Sequence, residues 1–243
     1  MLMSEKEIDE QKRTLATLRH TLPRMPYSEF IAEAPPGAES PYFLNIRGST
    51  GTGKSTIPMH ITMQGAGSPY DLVIITDDET DDEILTYSEF HKLLILGRYY
   101  TKCGGLDVIT FHDKRRVYEV LHRVWHETRL NILMEGMTVS SSYAWWLDRF
   151  TALAGDNPHD RELLIMSLWL PIEDIRARVM RRNGGREIKL DIARQKQDMI
   201  LRNSEKFRLA GFNAWSTTTA TVDYHDMLDW YAGELETNRR RMP

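Results

Sequence analysis

The sequence predicts an α/β fold in which a parallel β-sheet carries helices on both faces. Short apolar runs alternate with longer amphipathic segments along most of the 243 residues, and this alternation is typical of β-α-β units. The first run of the main domain, residues 42–46, ends at a glycine-rich loop that a helix follows. Because such loops lie at the carboxyl ends of parallel strands, we expect a ligand site at that edge of the sheet.

Composition describes an ordinary globular chain. Hydrophobic residues make up 41% and charged residues 27% of it, and both values are typical. No apolar run approaches the roughly 18 residues of a membrane-spanning helix. The amino terminus is charged where a signal peptide is apolar, and Cys103 is the single cysteine. These features predict a cytoplasmic protein with no membrane partner. They do not indicate its oligomeric state.

The elements follow in order along the chain. Residues 4–22 have helical spacing, and the five prolines between residues 22 and 41 indicate an irregular connector. We therefore divide the chain into an amino-terminal helical extension with its connector, 1–41, and a main domain, 42–243. Apolar runs predict strands at 42–46, 71–76, 92–96, 131–134, 163–170 and 213–217. Helices are predicted at 54–65, 81–90, 113–129, 140–153, 172–182, 191–210 and 225–235.

The loop after residues 42–46 fills the pattern G-x-x-x-x-G-K-[ST] and predicts a P-loop NTPase. Its glycines let backbone N–H groups surround a phosphate, and the next helix directs its positive end at the same anion. Lys54 would reach the β- and γ-phosphates, and the Ser55 hydroxyl would coordinate Mg²⁺. The predicted nucleotide-binding residues are Gly48, Ser49, Thr50, Gly51, Thr52, Gly53, Lys54, Ser55 and Thr56.

Two classes of P-loop protein compete: a kinase, and a switch GTPase or mechanical ATPase. A GTPase usually carries N-K-x-D for guanine, and the sequence contains no such tetrad. The run N-I-L-M ends instead at Glu135-Gly136. An acid and a glycine at a strand end suit a small kinase, where the carboxylate lies near Mg²⁺. The alternative is that Glu135 caps a neighbouring helix.

A basic segment suggests the lid of a small kinase. Residues 176–208 contain eleven Lys/Arg and four Asp/Glu in a chain of net charge −4. Arg178, Arg181 and Arg182 fall at i, i+3 and i+4, on one helical face. We predict a lid at about 176–195, from which Arg178 and Arg182 neutralise charge during transfer. The alternative is a solvated basic face.

A further segment, G-R-Y-Y-T-K-C-G-G-L-D-V-I, carries a resemblance to a family. With the P-loop and E-G-M-T-V-S it resembles small bacteriophage P-loop kinases, which include kinases of 5-hydroxymethyluracil in phage DNA. Those proteins carry G-x-Y-x-x-x-C-G-G-x-D-x-I and E-G-[LM]-x-[IV]-S. The matching residues are Gly97, Tyr99, Cys103, Gly104, Gly105, Asp107, Ile109, Glu135, Gly136, Met137, Val139 and Ser140. The resemblance extends from about residue 42 to 232 and implies that ATP and Mg²⁺ are used and that modified DNA is the acceptor.

The C-G-G-L-D loop is the predicted acceptor site, formed by Tyr99, Cys103, Gly104, Gly105 and Asp107. Its two glycines allow close backbone approach to a base, and Asp107 could accept the proton of the attacking hydroxyl. The alternative for the glycines and Asp107 is a plain turn in which Asp107 caps the next helix. The alternative for Cys103 is that it is simply a small packed residue.

Two further groups of residues could contact the acceptor. Asp77 and Asp78 are possible acceptor-side acids, but the acids around them favour a solvated cluster. Tyr99, Tyr100, Trp145 and Trp146 are candidates for stacking on a base, of which we expect one to make the contact.

The combined prediction is an ATP-dependent kinase of small P-loop type. Its catalytic residues are Lys54, Asp107, Glu135, Arg178 and Arg182, and Ser55 and Glu135 hold Mg²⁺. The acceptor is 5-hydroxymethyluracil in DNA, in a step of thymine hypermodification. The alternative is a free nucleoside or nucleotide, and a more distant one is a P-loop ATPase without kinase activity.

The Lys54→Ala substitution is expected to abolish phosphoryl transfer and to leave the fold intact. Removing one cation from the developing negative charge should slow the reaction on the order of 10²–10³-fold or more. A transfer assay on protein of native circular dichroism measures this, and near wild-type turnover would contradict the assignment.

Overall fold

The computed structural model describes residues 17, 21–64, 72–97, 99, 106, 114–136, 141–185, 188–222 and 226–239, with the backbone alone at 63–64 and 182. In these residues one eight-stranded sheet is accompanied by seven helices. The strands are β1 (Arg24–Pro26), β2 (Tyr42–Gly48), β3 (Leu72–Thr76), β4 (Glu83–Ser88), β5 (Leu93–Leu96), β6 (Asn131–Glu135), β7 (Glu162–Trp169) and β8 (Asn213–Thr218). The helices are α1 (Tyr27–Ala32), α2 (Thr56–Gln64), α3 (Lys114–Glu127), α4 (Tyr143–Gly155), α5 (Ile172–Arg182), α6 (Leu190–Leu209) and α7 (Met227–Arg239).

The sheet is mixed but mostly parallel, with the order β1-β3-β4-β5-β6-β2-β7-β8. The strand β2 lies between β6 and β7 and is parallel to both. Among the described strands, only β4 runs antiparallel to its neighbours, β3 and β5. The prediction of an α/β fold on a parallel sheet is thus confirmed in its main part, and β4 is the exception.

The strand β4 shows that the predicted helix at 81–90 is wrong. All six of its residues are buried, so it has no solvent face of the kind that an amphipathic helix needs. A tight turn precedes it: the Asp77 N–H donates to the Asp82 carbonyl oxygen over 2.8 Å, and Asp81 has a φ of +57°. The run of acids therefore closes a hairpin and does not begin a helix.

The connector predicted at 22–41 is wrong where the chain forms β1 and α1. The strand β1 pairs in parallel with β3 at the edge of the sheet, where proline is tolerated. The helix α1 then buries Tyr27 and Phe30 in the main core. The predicted helix at 4–22 lies almost entirely outside the described residues, and the division of the chain at residue 41 stays a prediction.

Alternating side chains of the central strands divide the core between two faces. Phe43 meets the rings of Trp125 in α3 and Phe150 in α4 edge-on, at centroid distances of 6.1 and 5.5 Å. Its neighbour Leu44 packs on the other side with α2 and α7. We call these the α4 face, which also carries α3 and α6, and the α2 face. Helices thus lie on both faces as predicted, and none in the described part of the chain is long and apolar enough to cross a bilayer.

Arg161 joins the end of α3 to the sheet from a fully internal position. The residue is 2% exposed. Its guanidinium donates to the carbonyl oxygens of Trp125 (2.7 Å), Thr128 (2.7 Å) and Leu130 (3.1 Å). Burial lowers the pKa of Arg161 to about 10, so the group is still charged at pH 7. One side chain therefore satisfies a carbonyl group in the last turn of α3, which has no helical partner, and two more in the segment that joins α3 to β6.

The Arg161→Met substitution is expected to lower the free energy of unfolding by about 2–4 kcal/mol, because it leaves buried carbonyl groups without donors. Chemical denaturation measures the change. Arg208→Met is the matched control, since Arg208 is exposed and paired only with Glu205 one turn away in the described residues. Equal losses in the two variants would contradict a special role for Arg161.

Candidate nucleotide site

The P-loop segment, residues 48–55, connects β2 to α2 as a tight curl. A Cβ atom on Gly48 would lie 2.3 Å from Thr52 Oγ1, which leaves no room for a side chain. The Thr52 hydroxyl donates to the Ser49 carbonyl oxygen over 2.9 Å and draws the loop back on itself. Gly53 has a φ of +90°, a conformation that residues with side chains rarely adopt. These constraints account for the glycine positions of the phosphate-binding pattern.

The helix α2 begins at Thr56, two residues later than predicted. Pro58 has no N–H to donate to the Lys54 carbonyl, and a bond from the Met59 N–H to the Ser55 carbonyl oxygen (3.3 Å) is the one that forms. Lys54 is 9% exposed and Ser55 is half-buried. Both residues therefore lie at the amino-terminal end of α2, where backbone N–H groups stabilise anions.

The helix α5 packs directly on the P-loop segment. A Cβ atom on Gly51 would lie 2.9 Å from Val179 Cγ2 and 3.4 Å from Ile175 Cγ2. Both side chains belong to a small buried cluster that includes Leu170. The helix that carries the predicted lid arginines thus contacts the loop that it was expected to cover.

A chain of hydrogen bonds joins Arg178 to the P-loop segment. The Arg178 guanidinium donates to Thr219 Oγ1 (3.3 Å) and to the Thr219 carbonyl oxygen (3.1 Å). Thr219 Oγ1 donates in turn to the Thr52 carbonyl oxygen (3.0 Å). Burial lowers the pKa of Arg178, but an arginine starts so far above neutrality that it remains a cation. A positive charge therefore lies beside the loop, 3.6 Å from the position that a Cβ atom on Gly53 would take.

Thr219 and Arg47 are site residues that sequence reasoning missed. Thr219 is the first residue after β8, within the run S-T-T-T-A-T. The one sequence feature that could have indicated its role is that it is polar and follows the carboxyl end of a strand. Arg47 had a clearer signal, since a charged residue inside an apolar strand is unusual.

Arg47 lies directly before the P-loop segment and faces the α4 side of the sheet. It is fully buried, its Nε donates to Asn45 Oδ1 over 2.8 Å, and its guanidinium lies 4.6 Å from the Phe207 ring centroid. Burial lowers the pKa of Arg47 to about 9, so it is charged at pH 7. A second cation therefore lies next to the start of the loop.

Glu135 ends β6, the strand next to β2. It is 1% exposed and lies in register with Ile46. Residues in register point to the same face of a sheet, and Ile46 packs with Ile57 of α2. The Glu135 carboxylate is therefore on the α2 face, on the side where α2 begins.

The Ser55 hydroxyl and the Glu135 carboxylate fit a Mg²⁺ ion that arrives with a nucleotide. This ion is usually held by one or two carboxylates together with phosphate oxygens and waters. Within the described residues, no group of three or more His, Cys, Asp or Glu side chains is placed to hold a metal ion. Phosphate oxygens and waters would have to complete such a coordination shell, and Ser55 and Glu135 as its protein ligands stay a prediction.

The two sequence elements of the resemblance meet in the structure. A Cβ atom on Gly136 would lie 3.2 Å from Leu106 Cβ, so Leu106, from the C-G-G-L-D sequence, lies against the end of β6. Tyr99 is 2% exposed and packs in the core of the α2 face, and its role as an acceptor contact stays a prediction. The predicted residues Cys103, Gly104, Gly105 and Asp107, and the side chain of Arg182, lie outside the described residues.

Asp77 has a structural role that the sequence did not indicate. Its Oδ1 accepts from the backbone N–H groups of Glu79 and Thr80 (both 3.1 Å), and its Oδ2 accepts from Arg116. Burial alone would raise the pKa of Asp77, but these donors together hold it below the ordinary value. At 5% exposure, Asp77 is not part of a solvated cluster, so that interpretation is wrong for this residue.

Comparison with known proteins identifies the family. A family model described as 5-hmdU DNA kinase matches residues 31–217. The chain is 30% identical over 197 residues, 80% of its length, to the 5-hmdU DNA kinase of Bacillus phage SP10, and spans 30% of that protein. It is 23% identical over 180 residues to 5-hmdU DNA kinase 1 of Salmonella phage ViI, covering 72% of this chain and 76% of that one. The chain belongs to the 5-hmdU DNA kinase family.

A solved structure is also similar at a low level. It comes from a study of the PezAT chromosomal toxin–antitoxin system of Streptococcus pneumoniae. The match covers 99% of this chain and 96% of the chain in that structure. The TM-score is 0.42 and the identity 14%, too low to support an inference about function.

Glu135→Gln is expected to lower transfer and to raise the Mg²⁺ concentration needed for half-maximal rate, because it removes a charged oxygen ligand. Asp77→Asn/Asp78→Asn is expected to leave the Mg²⁺ dependence unchanged and to reduce stability. The pKa of Asp77 is lower in the folded than in the unfolded state. Its contribution to the free energy of unfolding is therefore present above the unfolded-state pKa and disappears as pH falls through the folded-state pKa. The stability deficit of the double variant should therefore shrink in acid.

Titrating both proteins with Mg²⁺ and unfolding both across pH measures these effects. A double variant that shifts the Mg²⁺ dependence, beside a Glu135→Gln protein that does not, would show that the metal ligand is misassigned.

Proposed function

We propose that this protein is a kinase that transfers the γ-phosphate of ATP to the hydroxymethyl oxygen of 5-hydroxymethyluracil in phage DNA, with Mg²⁺ as cofactor. The family match over residues 31–217 is the observation that carries the choice of acceptor. The strand, loop and helix at 42–64 support ATP as donor. A step in thymine hypermodification, in the cytoplasm of the infected host, follows from this assignment.

The P-loop segment would bind the triphosphate through its backbone N–H groups and Lys54. Ser55 and Glu135 would hold Mg²⁺, which neutralises phosphate charge when bound. Arg178, and with it Arg182, would stabilise the charge that spreads over the transferred group. The contact of α5 with Gly51 supports this lid role for residues 176–195, because it sets the helix over the loop.

The acceptor would lie on the side of Glu135 that is away from the P-loop segment, near Leu106. The hydroxymethyl oxygen attacks the γ-phosphorus, the bond from that phosphorus to the β-phosphate oxygen breaks, and ADP leaves. The proton of the hydroxyl passes to a base, for which we propose Asp107. The contact between Leu106 and the Gly136 position supports this role, since it brings the neighbour of Asp107 to the end of β6.

The surface of α6 supports a polymeric acceptor. Arg194, Lys196 and Arg202 are exposed, and no ion pair within the described residues involves them. At about 100° per residue, Arg194 and Arg202 lie about 80° apart around the helix, whereas Lys196 lies about 200° from Arg194. Two of these three cations can therefore follow one phosphate backbone.

With γ-labelled ATP, the protein is expected to label DNA that contains 5-hydroxymethyluracil, with the phosphate on the hydroxymethyl oxygen. DNA of the same sequence with thymine should stay unlabelled, because it has no acceptor hydroxyl at that position. The labelled nucleoside is identified after digestion, and the free hydroxymethyl nucleotide is offered in parallel.

Each other outcome contradicts part of the proposal. Labelling of the free nucleotide as efficient as that of an oligonucleotide, with no dependence on length, would show a kinase of small molecules. ATP hydrolysis with no labelled acceptor would show a P-loop ATPase without transferase activity.

A further inference from the structure

The four aromatic residues that are candidates for DNA contact differ in where they lie. Trp146 and Tyr99 belong to the two halves of the core, and Tyr100 lies outside the described residues. Trp145 is half-buried, and its ring meets the Tyr118 ring of α3 edge-on at 6.1 Å. Trp145 is therefore the one of the four whose described position reaches the surface.

Two cations lie on the Trp145 ring. The Arg149 guanidinium carbon is 4.4 Å and Lys114 Nζ is 5.0 Å from the ring centroid. Arg149 is also 5.9 Å from the centroid of Tyr118. We call Lys114, Tyr118, Trp145 and Arg149 the cation platform. Attraction between a cation and the face of an aromatic ring holds both long side chains in place.

Carboxylates do little to neutralise these cations. In the described residues Arg149 has one ion pair, a distant one of 3.8 Å with the exposed Asp148, and no ion pair involves Lys114. The neighbouring arginines of α3 differ, since Arg116 and Arg123 are paired with Asp77 and Asp78. The platform thus keeps N–H donors and positive charge available to an external anion.

The platform lies at the edge of the sheet where the site is. Lys114 begins α3, and Trp145 is in the first turn of α4. The strand β5 precedes α3, and β6 precedes α4. Because β5 and β6 are parallel, both helices start on the side of the sheet where β6 ends at Glu135. An anion bound there would lie on the α4 face, beside the ends of β5 and β6.

We infer that the cation platform binds the phosphodiester backbone of the DNA strand that carries the target base. Lys114 and Arg149 make the phosphate contacts, and Trp145 is a positioning residue that orders them. Backbone contact is favoured over base stacking on Trp145 because the cations lie on its ring. The inference rests on the proposed function, since only a polymeric acceptor supplies a row of phosphates.

The test is the salt dependence of binding to an unmodified single-stranded oligonucleotide, which separates binding from chemistry. Fluorescence anisotropy gives the slope of log affinity against log salt, about −0.7 for each phosphate contact. Lys114→Gln/Arg149→Gln is expected to flatten the slope by about 1.4 units. Trp145→Leu should flatten it in part, and Trp145→Phe should restore it because a ring remains.

Catalytic measurements give a second readout. The double variant should raise KM for hydroxymethyluracil DNA at least about fivefold, with kcat and the KM for ATP unchanged, because binding and not chemistry is altered. Arg208→Gln removes one exposed positive charge, whereas the double variant removes two half-buried ones; it is the single-charge control and should leave slope and KM unchanged. Circular dichroism checks that each variant is folded.

An unchanged slope in the folded double variant, or an equal flattening in Arg208→Gln, would overturn the inference. The proposed function can fail separately. A wild-type protein that does not label hydroxymethyluracil DNA, yet binds DNA with a slope that depends on Lys114 and Arg149, would refute the kinase assignment and leave the platform standing.

Discussion

The carbonyl oxygen of Thr52 is the point on which the site depends. Thr52 is fully buried, so its carbonyl oxygen needs a hydrogen-bond donor from within the protein. Thr219, just beyond β8, donates to this oxygen, and Arg178 of α5 binds Thr219 through two hydrogen bonds. Three separate segments of the chain therefore meet at one bend of the P-loop segment, and the position of the arginine is tied to the shape of the loop.

Successive side chains of β2 point to opposite faces of the sheet, and the two faces carry different groups of proposed functional residues. Ile46 packs with α2 on the face to which Glu135 also points, so the groups proposed for the nucleotide and its metal gather there. Arg47, one residue later, faces Phe207 on the opposite side, the side that also carries the cation platform. A shift of one residue in the register of β2 would exchange these faces and remove the site.

Local patterns made much of the fold predictable from the sequence. The strand, loop and helix around Lys54 and the helix at 172–182 were found because spacing and glycine chemistry act over short distances. The sequence pattern of Glu83–Ser88 predicts a helix, whereas the segment is a strand because it pairs with β3 and β5. Thr219 was missed for the same reason, since its partners, Thr52 and Arg178, are distant in the sequence.

We propose that a nucleoside triphosphate binds in the P-loop segment beneath α5. Hydrogen–deuterium exchange with and without a non-hydrolysable ATP analogue and Mg²⁺ measures this binding. We predict slower exchange at residues 48–56 and in α5, and no such protection in Lys54→Ala at the same concentration. Binding of the analogue with unchanged exchange in both segments would contradict it.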